Sequence, residues 1–467
     1  ALDRIHSWLL GRGEVEAGAV LERAAGPMKA RDTAYEILVR TGRIASEADR
    51  FLVTAGIEAR FPPTVAEAAE RVAPFAGSAR RMDYRGERAI TIDDDDTTEV
   101  DDALTVRESG GELIVGVHIA NVAAYVEKND LLDVEAARRL STIYLPASTV
   151  RMFPDRVSTD LASLMAGAAR PAFTIEARFD SALNRIGFRA ALSEIQVHER
   201  LSYDEADRRL AEGEPALSAL ARLAARLRAD RAAVGAVVLR RPELKITVSN
   251  DAIHVKRIDP NSASRLLVTE MMIMANALAA DLAVASAAPI IFRTQERREL
   301  PPGDAPENEV LAFERLRKTF KRSRLSLSPG PHSGLGLTAY TQMSSPIRRF
   351  TDLVTQRQIS ALIEGQPFPY DRDDLVRFLG AAETAEQEIR ALEERASHYW
   401  LLEYLRRESM NQALSATVLD SGGAIELNDY YLRAKVSGGP FRAGETLQVA
   451  IESIDPGAQE VRFKRIG

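Results

Sequence analysis

The hydrophobic period of the chain changes twice. Up to about residue 78 apolar positions recur at helical spacing, and Ala30, Ala34, Ile37, Leu38 and Thr41 share one face of a helix that Gly42 is placed to end. Ser46 with Asp49, and Thr64 with Glu67, read as N-terminal capping pairs for two further short helices. A helix, a glycine turn and a second helix give helix-turn-helix or winged-helix character, with a plain helical cap as the alternative.

From residue 88 the period becomes two, in "RAITI", "ALTVRE" and "ELIVGVHIA", with "SGG" turning between the last pair. Strands then mix with helices. "ELKITVSNDAIHVKRI" predicts a hairpin that turns at Asn250 and Asp251. The most apolar run starts at Leu266 and is long enough to cross a bilayer, but Glu270, Asn276 and Asp281 within it predict a helix buried in a protein core. Residues 373–407 return to helical spacing. Five short alternating segments between glycine turns follow, which predict an OB-type barrel. The expected class is α+β and multidomain: a helical module at 1–78, a large mixed α/β domain at 79–408 and a small OB-type barrel at 409–467.

Composition narrows the chemistry. The 467 residues include no cysteine, which excludes disulfides, thiolate ligands and a cysteine nucleophile and leaves oxygen donors and six histidines for any metal. A reducing cytoplasm is expected, and the short apolar run near the N-terminus, flanked by charge, predicts no export. The net charge of -7 disfavours a general polyanion binder. Basic islands at Glu314–Arg324, Leu239–Lys245 and Ser345–Phe350 can still create local positive fields.

The stretch "TIDDDDTTEVDD", Thr91 to Asp102, packs seven acidic side chains into twelve positions between two strand-like segments. A solvated loop is the plain reading, yet strand ends fix side chains rigidly. An EF-hand is excluded, because its sixth position falls on Thr98 or Glu99 in place of Gly and its twelfth on Leu104 or Thr105 in place of Glu. Asp93, Asp95 and Thr97 match the D-x-D-x-T of haloacid-dehalogenase-type aspartyl-phosphate phosphatases, whose fold requires a strand-helix continuation where this chain reads as a hairpin. Asp93, Glu99, Asp101 and Asp102 could instead converge on Mg²⁺, since hard cations need several oxygen donors and crowded carboxylates repel unless neutralised.

"TIDDDDTTEVDDAL" resembles the signature of the ribonuclease II / ribonuclease R family of 3′-to-5′ exoribonucleases. Ordered support comes from "VHIANVAAYV", "STIYLPASTVRMFP", "LSYDEA", "VTEMMIMAN", "YTQMSSPIRRFTDLVTQR" and "LEERASHYW", so the resemblance runs from about residue 80 to the end. It implies that Asp93, Glu99, Asp101 and Asp102 hold one or two Mg²⁺ ions, with Asp101 essential for cleavage and Glu99 at a position that is usually Asp. It implies further that Arg348 stabilises phosphate charge, that Tyr144 and Tyr203 grip the terminal nucleotides, and that Glu270 and Glu394 line the RNA channel. The implied activity is processive hydrolysis of single-stranded RNA from its 3′ end to nucleoside 5′-monophosphates, by a cytoplasmic monomer with no membrane association. Asn121 stands where Asp is common, Gln342 and Gln356 where His is common, and Phe350 where Tyr is common. The helical module replaces the family's cold-shock barrels, from which tolerance of a duplex with a 3′ overhang is expected. A phosphatase and an inactive RNA-binding relative are the rival readings.

Overall fold

The computed structural model describes residues 1–10, 15–26, 30–44, 49–237, 241–297, 308–317 and 321–466. Its centre is a six-stranded sheet in the order Met82–Asp83, Arg185–Ser202, Ala89–Asp93, Asp102–Ser109, Glu112–Ala120, Ala169–Phe179. Asp102–Ser109 and Glu112–Ala120 form the expected hairpin, whose turn residues Gly110 and Gly111 both take positive φ as a two-residue turn requires. Strand Arg185–Ser202 runs parallel to Ala89–Asp93 and antiparallel to Ala169–Phe179, so the sheet folds back on itself. After Asp93 the next strand returns antiparallel, with Ile90 opposite Leu104. That topology rules out the phosphatase reading, which needs a parallel strand reached through a helix.

The apolar run is the core helix Ala263–Ala285. Its Leu267, Met271, Ala275 and Leu278 pack into one core with Ile90, Val117 and Phe173 of the sheet. A second core joins Val100, Met152 and Phe153 to Phe350 and Val354 of helix Phe350–Glu364. Helix Arg372–Glu408 opens with a capping box between Asp371 and Asp374 and runs past the site toward the C-terminal barrel. That barrel closes through Leu414–Val418, Ala424–Leu427, Arg433–Ser437, Glu460–Arg465 and Thr446–Asp455, around Val418, Ile425, Val449 and Phe463. The hairpin of Glu243–Ser249 and Ala252–Ile258 turns at Asn250 and Asp251, both at positive φ.

Among the described residues of 1–78 every regular element is a helix. Leu2–Leu9, Val15–Ala25 and Ala30–Arg40 share a core of Leu9, Leu21, Ala34 and Leu38, and Gly42 at φ 68 follows the last of them. Asp49 caps Arg50–Ala55 by accepting from the N–H groups of Phe51 and Leu52; Ser46 lies outside the described residues. Thr64 is not a cap. Its helix starts at Pro63, whose fixed φ and missing N–H suit a first turn. Phe51 and Leu52 pack on Ile143, Leu145, Val150 and Leu392, and Val65 and Ala69 belong to the second core, so the first of these helices is fastened to a small two-stranded sheet and helix Arg372–Glu408, and the second to the core against the central sheet.

Candidate active site

Asp93 ends one strand and Asp102 begins the next, and the loop between them is pinned by distant cations. Lys245 bridges Asp94 (3.0 Å) and Asp96 (2.5 Å), Arg265 pairs with Asp94 at 2.5 Å, and Arg200 donates to the carbonyls of Asp94 and Thr97. Asp95 is exposed. The acidic side chains of this stretch therefore serve different ends. Asp94 and Asp96 hold the loop, while Asp93, Glu99, Asp101 and Asp102 line a cavity of about 660 Å³. Leu244 to Thr247 of the hairpin roof it, anchored where Val248 N–H donates to Pro146 C=O at 2.7 Å.

Asp101 is buried and fully engaged. Its Oδ1 accepts from the Ile347 N–H (3.0 Å) and its Oδ2 from Arg348 Nε (2.9 Å), while Arg348 Nη2 donates to Ser345 Oγ at 3.0 Å. Pro346 stands inside this turn and holds it stiff. Glu99 Oε2 accepts from the Tyr144 hydroxyl (2.7 Å), and the Tyr144 N–H donates to Glu393 (2.9 Å). Asp93 Oδ2 and Glu99 Oε1 are buried with no hydrogen-bond partner, and Arg151 Nε stands 3.8 Å from the latter. Burial is the first cause of the raised pKa values throughout. It lifts Asp93 to about 6, Glu99 to about 7 and Asp102 to about 8, with the charges of Asp93 and Asp101 adding to the shift at Asp102. Asp101 is raised by burial against the pull of Arg348.

These residues fit a hard divalent cation in donor type: four carboxylates in one cavity, two of them with an orphaned buried oxygen, each less willing to ionise than a free acid. Among the described residues no three acidic or histidine side chains already converge at ligand spacing. The reason is visible, since Asp101 is turned to Arg348 and Glu99 to Tyr144.

The other expected residues fall in different places. Tyr203 packs its ring under the Arg265 guanidinium at 3.9 Å, close enough to Asp102 and Asp93 for their charges to add to the burial that raises its hydroxyl. Tyr144 is 44% exposed and, with Arg348, separates the acidic cavity from a second one of about 760 Å³. Glu270 is outside both cavities, buried, with both oxygens taken by Arg231. Glu394 points to solvent, and it is its neighbour Glu393 that faces the site. Asn121 and Gln356 hydrogen-bond each other at 3.1 Å, so these two departures compensate. Phe350 fills the second core, and Gln342 lines the second cavity. Sequence reasoning passed over Glu393 and Arg151 and reached Lys245 and Ser345 only as the ends of basic islands; the run "EER" carried a signal for Glu393 but not the helix phase that decides which acid faces inward.

Comparison with known proteins adds three findings. The RNB domain matches residues 81–365. An uncharacterised ribonuclease of Synechocystis is 30% identical over 93% of this chain and 68% of its own length, and the chloroplastic/mitochondrial ribonuclease II of Arabidopsis thaliana is 26% identical over 99% of this chain and 60% of its own. Mycoplasma genitalium RNase R in complex with ribose-methylated single-stranded RNA shares the fold, with a TM-score of 0.79 and 20% identity over 89% of this chain and 77% of that one.

Proposed function

The chain belongs to the RNB family, whose matched members are named ribonucleases and exoribonucleases, and from that premise we propose that it is a Mg²⁺-dependent, processive 3′-to-5′ exoribonuclease. It hydrolyses single-stranded RNA to nucleoside 5′-monophosphates, acts as a cytoplasmic monomer and accepts a duplex that carries a 3′ overhang. The observation that carries this reading is the Asp101–Arg348 pair set in one cavity beside Asp102 and two carboxylates, Asp93 and Glu99, that each keep an unpartnered buried oxygen.

Asp93, Glu99 and Asp102 would hold the cation, with Asp101 beside them. When bound, Mg²⁺ neutralises these carboxylates and acts as a Lewis acid toward the scissile phosphate. Arg348 presents its outer N–H groups to the phosphate oxygens, where negative charge builds in the transition state. Asp101 fixes the angle of that guanidinium. Tyr144, with its hydroxyl held by Glu99 and its ring partly exposed, stacks on the terminal base, and Tyr203 with Arg265 supports the strand further out. Residues 1–78 and the barrel at 409–467 flank the catalytic unit at 79–408 and handle the RNA before it reaches the cleft.

The test uses one RNA labelled at either end. With Mg²⁺, 3′-labelled RNA is expected to yield labelled mononucleotide at once and 5′-labelled RNA a shortening ladder, and EDTA is expected to stop both. Binding without cleavage would assign the chain to the inactive relatives, and early release of a 5′ label would reverse the polarity.

A further inference from the structure

We propose that the second cavity, on the far side of Tyr144 and Arg348 from the carboxylates, is a subsite for the 5′-phosphate of the released nucleoside monophosphate; this rests on the exoribonuclease reading above. Its volume, about 760 Å³, is in the range of small-molecule sites. Six arginines line it: Arg293, Arg322, Arg324, Arg348, Arg349 and Arg390. Three carboxylates also line it, and each is engaged. Glu386 pairs with Arg293 at 2.5 Å, Glu383 accepts from the Leu325 N–H, and Glu393 accepts from the Tyr144 N–H. Arg348 and Arg349 are paired with Asp101 and Asp352. Arg322, Arg324 and Arg390 are exposed and make no ion pair among the described residues, and the Nε groups of Arg293 and Arg349 are buried without an acceptor. Two cavities of opposite sign thus share one wall.

The chemistry of hydrolysis uses the arginine side of that wall. Water forms a new O–P bond as the P–O3′ bond breaks, and a proton goes to the 3′-oxygen of the shortened strand. A diester phosphate of charge -1 becomes a monoester, which loses its own proton to solvent with a second pKa of about 6 and carries about -1.5 to -2 at pH 7. The arginines of the second cavity therefore attract the product more strongly than the substrate. Arg348 belongs to both walls and can pass the phosphate across. An incoming strand keeps one charge per phosphate throughout, so the gradient acts selectively on the product.

Titration calorimetry of 5′-AMP into the full chain tests this, with adenosine as the uncharged control. The double substitution Arg322→Glu/Arg390→Glu is expected to weaken AMP binding at least 10-fold and to slow steady-state turnover more than single-turnover cleavage. Arg322→Gln/Arg390→Gln should give an intermediate loss. Unchanged AMP affinity in both variants would overturn the proposal. So would an equal loss of affinity for single-stranded RNA, measured in an Asp101→Asn background, since that assigns the cavity to the incoming strand. Wild-type protein that binds AMP but cleaves no RNA would remove the exoribonuclease reading itself, and the product role with it.

Discussion

Arg348 Nε donates to Asp101 Oδ2 at 2.9 Å while Asp101 Oδ1 takes the N–H of Ile347, so one buried carboxylate holds both the arginine and the turn that carries it. Two residues 247 positions apart act as one unit.

Residues that act as a unit give non-additive losses. Asp101→Asn and Arg348→Gln are each expected to lower kcat by about 10²-fold or more, and the double variant to be little worse than the poorer single one. RNA affinity should stay near wild type for Asp101→Asn, because binding is spread along the strand. A parallel fall in binding and cleavage, read by filter binding and single-turnover assay, would contradict this.

Arg348→Lys separates transition-state from ground-state contact. Lysine cannot reach Asp101, Ser345 and phosphate oxygens together as the planar fork does. The expected result is a fall in kcat larger than the rise in KM, and an effect confined to KM would reassign Arg348 to strand binding.

Metal binding has a readout that does not depend on activity. Mg²⁺ at about 100 times its Kd should stabilise the wild type by about 2.7 kcal/mol. Above pH 8, where the metal-free Asp102 is ionised, Asp102→Asn removes one of the crowded charges, so thermal melts at about pH 9 should show the metal-free variant to be more stable than the metal-free wild type and nearly indifferent to Mg²⁺. An unchanged Mg²⁺ response would remove Asp102 from the ligand set.

His118 is fully buried between Thr105 Oγ1 (2.9 Å from Nε2) and Thr174 Oγ1 (2.7 Å from Nδ1), and burial pushes its pKa down to about 3. The folded value lies below the unfolded one of about 6.5. Its contribution to stability is therefore complete above pH 6.5 and is lost as pH falls toward 3, at about 1.4 kcal/mol per unit. Urea midpoints between pH 7.5 and 5 should fall more steeply for the wild type than for His118→Gln, and equal slopes would refute the assignment.

The helical segment allows two truncations with different outcomes. A chain starting at Asp49 loses a core to which it contributes only Val53 and should stay folded, whereas one starting at Met82 also strips Phe51, Leu52, Val65 and Ala69 from cores they share with the rest of the chain. The second should lose several kcal/mol, at about 1.5–3 for each large buried side chain. On a duplex with a 3′ overhang, the full chain is expected to digest further than the chain starting at Asp49. Equal stall points would leave the segment a structural cap.

What the sequence determined by itself was local. Positive-φ turns at Gly110–Gly111 and Asn250–Asp251, the barrel strands, the core helix from Ala263 and the carboxylates at two strand ends follow from neighbouring residues, because backbone preference and hydrophobic period are short-range. Which acid does what was decided by the tertiary structure. Asp94 and Asp96 became loop anchors only because Lys245 and Arg265, about 150 and 170 positions away, came to rest beside them. Glu270 went to Arg231, and the turn of one helix put Glu393 rather than Glu394 toward the site. The arginine-lined cavity is gathered from five separate parts of the chain. Charge partners act through space and not along the chain, so no local pattern can announce them.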